Sequence, residues 1–210
     1  MSAQFDINCV ACPRLASFLQ QVRTDYPTYY ARPVPPFGDA QPRLLIVGLA
    51  PGMHGANRTG RPFTGDHAGI LLYQTLHQFG FASQHNSVSA DDALVLHGCR
   101  ITNAVKCLPP ANKPEPAEVR RCNHFLAAEI AALPADTAIL ALGNVAHGAV
   151  LMAAGLPAKA HKFAHGAVHE LAHDRKLYDS YHCSRYNTQT RRLTTEMFHA
   201  VFARIVADSD

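Results

Sequence analysis

The sequence has no long apolar run: nothing in its 210 residues approaches the ~18 consecutive apolar positions a membrane-spanning helix needs. Its first six residues carry neither the basic nor the apolar segment of a secretory leader, so a cytoplasmic protein is expected. Internal repeats and low-complexity tracts are missing, and 48% hydrophobic with 17% charged residues excludes a disordered chain. Charge of one sign is scarce as well, since a formal net charge of +3 permits contact with a polyanion without requiring it. Both common phosphate loops are absent: no Gly-x-x-x-x-Gly-Lys-Ser/Thr occurs, and no Gly-x-Gly-x-x-Gly follows the first strand-like run. What remains is an ordinary globular composition whose length suits one domain, residues 1–210, with a substantial core.

Residues 44–47 form a short apolar run of the kind found in strands buried on both faces of a parallel sheet. Gly48, Gly52, Gly55, Gly60 and Gly65 follow it. Ligands of open α/β sheets bind beyond the carboxyl ends of strands, so this loop reads as a pocket wall. Further strands are expected within 95–105, at 137–142 and at 177–181. Helices are expected from about 15 to 23 and at 67–80, 117–133, 144–154 and 193–208. Residues 26–42, with five prolines, read as an irregular excursion in which Tyr29, Tyr30 and Arg32 suit either packing or base stacking. Strands alternating with helices imply an α/β fold whose four-stranded parallel sheet is covered on both sides.

The six cysteines suit metal or catalytic use in a cytosolic chain. Cys9-x-x-Cys12 together with Cys107 and Cys122 supplies four thiolates from two separated segments, a set that serves zinc or an iron-sulfur cluster equally. Cys99 reads as a small core residue.

Gly48-Leu49-Ala50-Pro51-Gly52, then Gly55-x-Asn57-Arg58-Thr59-Gly60-Arg61-x-Phe63-Thr64-Gly65-Asp66, and later Ser180-Tyr181-His182-Cys183-Ser184-Arg185, together resemble the iron-sulfur uracil-DNA glycosylases of family 5, also called type b. The resemblance spans nearly the whole chain and implies a three-layer α/β/α fold and a monofunctional glycosylase. Such an enzyme removes uracil, and other deaminated or damaged bases such as hypoxanthine and modified pyrimidines, from DNA and leaves an abasic site. It implies a 4Fe-4S cluster on Cys9, Cys12, Cys107 and Cys122, with a structural role. It also implies a catalytic aspartate at Asp66, which as a residue type before a helix reads equally as an N-cap. His182 would donate to the carbonyl of the leaving base. Asn103 could pair with the base edge while Phe63 stacks on the ring, and Gly52 and Asn57 belong to the same loop motif. Two departures stand out: the family's usual Gly-Leu-Ala-Pro-Ala ends here in Gly52, and a proline is usual where this chain has Cys183.

Cleaving a base from its deoxyribose builds positive charge on the sugar and negative charge on the base, which calls for a carboxylate near one and donors near the other. Ser184, Arg185, Tyr186 and Asn187 are read as a loop that contacts DNA, with Arg185 or Tyr186 as the side chain that fills the space left by an extruded nucleotide. Histidines at 161, 165, 169 and 173 would share one face of a helix, but Gly155, Pro157 and Gly166 argue against a continuous helix there. Residues 162–166 are expected to form a strand edge and loop instead. The partner is expected to be damaged DNA, met by a cytoplasmic, nucleoid-associated monomer with no membrane contact. Two other readings are a non-catalytic iron-sulfur DNA-binding or damage-sensing protein, and a zinc-stabilised hydrolase of free nucleosides or nucleotides.

Overall fold

The computed structural model describes residues 5–209; residues 1–4, part of the stretch judged for a leader, lie outside them. Along the chain come α1 (Pro13–Asp25), β1 (Phe37–Gly38), β2 (Leu44–Gly48), α2 (Ala56–Thr59), α3 (His67–Gln78), β3 (Cys99–Asn103) and α4 (Pro116–Ala131). They are followed by β4 (Ala138–Leu142), α5 (Asn144–Ala153), β5 (Val168–Glu170), β6 (Lys176–Ser180), α6 (Arg185–Gln189) and α7 (Thr195–Ala207). Among the described residues no helix is long and apolar enough to cross a membrane.

All five residues of β2 are buried, because the strand has a helical layer on each side. Its side chains alternate between the two layers. Leu44 and Ile46 join the core that contains Leu72 and Leu76 of α3 with Phe198 and Phe202 of α7. Leu45 and Val47 join the other core, with Leu15 and Leu19 of α1, Leu126 of α4 and Val150 of α5. Each fully buried leucine, isoleucine or phenylalanine contributes about 1.5–3 kcal/mol, so two apolar faces on one strand hold both layers to the sheet.

The strands form one sheet in the order β1-β3-β2-β4-β6-β5. Its centre is the expected set of four parallel strands, and the register sets Gly48 beside Asn103 and Leu142 beside Ser180. Their carboxyl ends are therefore level, and the residues that follow them meet. Two strands add to the expected four: β1 pairs antiparallel with β3, and β5 pairs antiparallel with β6. At two and three residues they are too short to show a period of two, and β5 begins at Val168 rather than within residues 162–166. The segment expected as a loop after His182 contains the short helix α6, capped by Ser184, whose hydroxyl accepts from the Asn187 amide at 3.4 Å.

The glycine loop between β2 and α3 is pinned from behind. The buried Arg61 guanidinium donates to Thr64 Oγ1 at 3.0 Å, to Ser87 Oγ at 2.7 Å and to Asp92 Oδ1 at 2.6 Å, and lies over the Phe37 ring. Tyr73 donates its hydroxyl to Pro62 O at 2.8 Å, and the Gly65 amide donates to Ser87 O at 2.9 Å. These bonds hold in one conformation a segment whose glycines would otherwise make it costly to order. In the proline-rich excursion, Tyr29 stacks on Tyr26 and bonds His54 Nδ1 at 2.8 Å, while Tyr30 donates to Pro33 O, so both tyrosines are engaged within the protein.

Candidate active site

The ends of β2, β3, β4 and β6 surround a cavity of about 370 Å³, near the lower end of the ~300–1,000 Å³ range of small-molecule sites. Leu49, Ala50, Ala56, Phe63, Leu142 and Val145 give it an apolar wall. Asp66, Asn103, His182 and Ser184 bring polar groups into it, and Gly52 completes the side next to β2. No lysine lines it among the described residues.

Six of the nine residues expected to act on substrate therefore meet in one cavity, and three do not. Asn57 is buried in α2 behind the wall, with neither atom of its side-chain amide paired. Arg185 and Tyr186 stand on α6 outside: Arg185 lines an adjoining depression that also reaches Asp66 and Gly52, and Tyr186 is 69% exposed. The local reason is α6 itself, which turns both side chains away from the cavity that Ser184 enters.

Asp66 is both an N-cap and a cavity residue, because its two oxygens do different things. Oδ1 accepts the Gly69 amide at 2.8 Å and starts α3. Oδ2 lies against Gly55, where a β-carbon would run into the carboxylate and come within 2.6 Å of Asp66 Cβ. Burial pushes the carboxyl above the usual carboxylate range, against the lowering effect of the Gly69 amide, His67 and the Ala68 amide. Gly48 makes the same kind of room for two other groups: a β-carbon there would collide with Asn103 Oδ1 and come within 2.7 Å of the Phe63 ring. At Gly52, by contrast, an added methyl would meet only Asp66 Oδ2, at 3.7 Å. Glycine in place of the family's alanine is thus sterically neutral.

His182 follows β6, its ring stacked on Phe63 with centroids 5.8 Å apart and planes 30° apart. Burial holds its pKa down at about 4, so the imidazole is neutral at physiological pH, and its Nδ1 is buried with no partner. Asn103 Oδ1 is likewise buried and unpaired. Unpaired buried polar atoms each cost on the order of 1–3 kcal/mol, and both of these belong to residues that line the cavity, as expected of a place built for a polar ligand. Phe63 itself has φ +53°, a left-handed conformation that an aromatic residue adopts only when packing holds it there.

Sequence reading missed three contributors and gave a fourth, Asn187, a different task. Asn112, in the left-handed region at φ +54°, lines the cavity from the segment after Cys107, and Gly143 with Val145 line it from the turn after β4. Asn187 donates to the main-chain oxygen of His182 at 2.8 Å and so fixes the loop that carries the imidazole. The strand-end rule that points to Gly48 points equally to Gly143; nothing in the local sequence marks Asn112, and Asn187, expected to contact DNA, serves to hold the His182 main chain.

Cys9, Cys12, Cys107 and Cys122 line a separate small cavity together with Leu15, Val105 and Phe125, and all four thiols are free. The Lys106 amide donates to Cys122 Sγ at 3.4 Å. Burial raises Cys12, Cys107 and Cys122, and the neighbouring thiols of Cys122, Cys9 and Cys12 help push Cys107 up to about 12. Two buried and two half-buried thiols gathered at one place are a donor set that fits a metal group, whose positive charge would favour the thiolate form. Cys99 and Cys183 lie instead in the core on the α3 and α7 side of the sheet, fully buried.

A family model of the uracil DNA glycosylase superfamily matches residues 35–206. The chain thus belongs to the uracil-DNA glycosylase superfamily. A type-5 uracil-DNA glycosylase of Thermus thermophilus is 49% identical over 197 residues, 90% of this chain and 89% of that one. Those of Pyrobaculum aerophilum and Mycobacterium tuberculosis are 43% and 45% identical, covering 97% and 92% of this chain and 90% and 75% of their own. Its place within the superfamily is with these type-5 members.

The glycine geometry makes a paired prediction. Gly55→Ala, which drives a methyl into Asp66, is expected to lower stability by about 1–3 kcal/mol, whereas Gly52→Ala should stay within roughly 0.5 kcal/mol of wild type. Denaturant unfolding of the two variants checks this; equal losses would refute the close contact at Gly55.

Proposed function

We propose that this chain is a monofunctional DNA glycosylase that hydrolyses the N-glycosidic bond of uracil, and of hypoxanthine and modified pyrimidines, in DNA, leaving an abasic site for base-excision repair. The observation that carries this is that the Asp66 carboxylate and a neutral His182 both line one largely apolar cavity. An extruded base fits between Phe63, which stacks on it, and Asn103, whose unpaired oxygen can accept from its Watson-Crick edge. Neutral His182 donates a hydrogen bond to a base carbonyl and takes up part of the negative charge that develops as the bond breaks. Asp66 Oδ2, left free by the N-cap bond on Oδ1, faces the positive charge on the sugar and orients the water that completes hydrolysis. With no lysine in the cavity there is no amine to form a Schiff base, which supports hydrolysis without strand cleavage.

The depression beside the cavity contains Arg58, His67 and Arg185, donors suited to the phosphates that flank an extruded nucleotide. Tyr186, standing free on α6, is the better placed of the two wedge candidates. Cys9, Cys12, Cys107 and Cys122 would hold a 4Fe-4S cluster, whose contribution when bound would be to cross-link the segment before α1 to the segment after β3 and to α4. On this reading the protein acts as a monomer in the cytoplasm, on the nucleoid.

Duplexes carrying uracil, hypoxanthine or thymine opposite guanine, followed by hot alkali, test the activity. Asp66→Asn and His182→Ala are each expected to lower the single-turnover rate by about 10²–10³. No alkali-sensitive sites from a folded, cluster-containing protein would replace this reading with that of a non-catalytic damage-binding protein. The pH profile follows from the same geometry. Because Asp66 must be ionised and its pKa is raised, the rate should fall on acidification with a midpoint above the ordinary aspartate value of about 3.9; a midpoint at or below that value would contradict the assigned role.

A further inference from the structure

Behind the sheet edge lies a second polar cluster that the cavity does not use. Asp179 of β6 is completely buried, and its Oδ1 meets His147 Nδ1 of α5 at 2.8 Å while its Oδ2 meets His169 Nε2 of β5 at 3.0 Å. The three ligand atoms lie within 4.8 Å of one another. Neither arginine nor lysine pairs with this carboxylate among the described residues.

The main-chain partner of His147 decides which of its nitrogens faces Asp179. Its Nε2 lies 2.9 Å from the main-chain oxygen of His161, which can only accept, so Nε2 carries a proton. In the neutral tautomer Nδ1 then presents its lone pair to the side on which Asp179 Oδ1 lies, so that a cation between the two would be held by both. A ring N–H anchored on a main-chain carbonyl, with the other nitrogen turned toward the remaining donors, is also the arrangement that orients a metal-binding histidine.

We propose that His147, His169 and Asp179 form a binding site for a divalent transition ion of the zinc type, distinct from the four cysteines and from the cavity. Two imidazoles and a carboxylate are a suitable donor set, with bonds of about 2.0–2.2 Å that put donor atoms some 3.3 Å apart. The observed 2.8 and 3.0 Å contacts, made to the two oxygens of one carboxylate, would open by a few tenths of an ångström, while the wider separations among the ligand atoms, up to 4.8 Å, would close around the ion. A water completes four-coordination, or the half-buried His161, whose ring lies 5.7 Å from that of His169. Phe163 covers the His147 side at 5.7 Å, and the 13% exposure of His169 leaves a way in. The ion would tie β5 and α5 to β6, the strand that leads into His182. This proposal does not rest on the glycosylase reading.

The test is calorimetric titration of the intact, cluster-containing protein with zinc chloride at pH 7.5 after dialysis against a chelator, with visible absorbance monitored to confirm that the cluster is unchanged. One zinc per chain is expected. His169→Ala should weaken it at least as much as the loss of an outer-shell partner does, about 10–100-fold; His169→Gln serves if the alanine variant does not fold. No saturable uptake, or uptake unaltered by the variant, would overturn the proposal and leave an ordinary hydrogen-bonded histidine–carboxylate cluster.

Discussion

The candidate site depends on two places where the main chain carries no side chain. At Gly48 the strand end comes close enough for Asn103 and the Phe63 ring to rest on bare backbone, and at Gly55 the loop does the same for the Asp66 carboxylate. A β-carbon at either position would displace a group that borders the cavity. These close approaches are possible only because the loop is fixed from outside, by Arg61 reaching Thr64, Ser87 and Asp92 and by Tyr73 holding Pro62. Glycine supplies the space, and a buried arginine supplies the rigidity that so many glycines remove.

The same construction sets the electrostatics. An apolar wall around His182 disfavours its charged form, and burial does likewise at Asp66. The two effects run in opposite directions on the pH axis: the histidine stays neutral down to about pH 4, whereas the aspartate gives up its charge earlier on acidification than an exposed one would. Both cost stability. As pH falls from the usual histidine value toward 4, the unfolded chain takes up a proton at this position that the folded chain refuses, and the fold weakens across that window. Unpaired Asn103 Oδ1 and His182 Nδ1 add to the cost, as does the left-handed Phe63. Local rules of good packing are broken together at one strand edge, which is where function usually breaks them.

What the sequence discloses follows from which signals are local. The four central strands and the long helices are legible because two-sided burial and amphipathic spacing are written into consecutive residues. Asp66, Asn103 and His182 are legible because each ends or follows such a strand or loop. The edge strands β1 and β5 are not, since pairing rather than side-chain pattern creates them. The helix α6 has no apolar stripe, and only its Ser184 cap hints at it. The cluster of His147, His169 and Asp179 is hidden for a different reason: its members come from three elements, and the suggestive row of histidines at 161, 165, 169 and 173 contributes only one of the three ligand atoms, at His169.

The central claim is that His182 is held as a neutral donor against an apolar wall. Its imidazole can be titrated directly by NMR on protein with labelled histidine, assigned by comparison with His182→Ala. The account predicts nitrogen and carbon shifts of a neutral ring down to about pH 5 and a midpoint near 4. A midpoint near the ordinary histidine value of about 6.5 would mean the ring is charged or solvated in the working range, and would contradict the account.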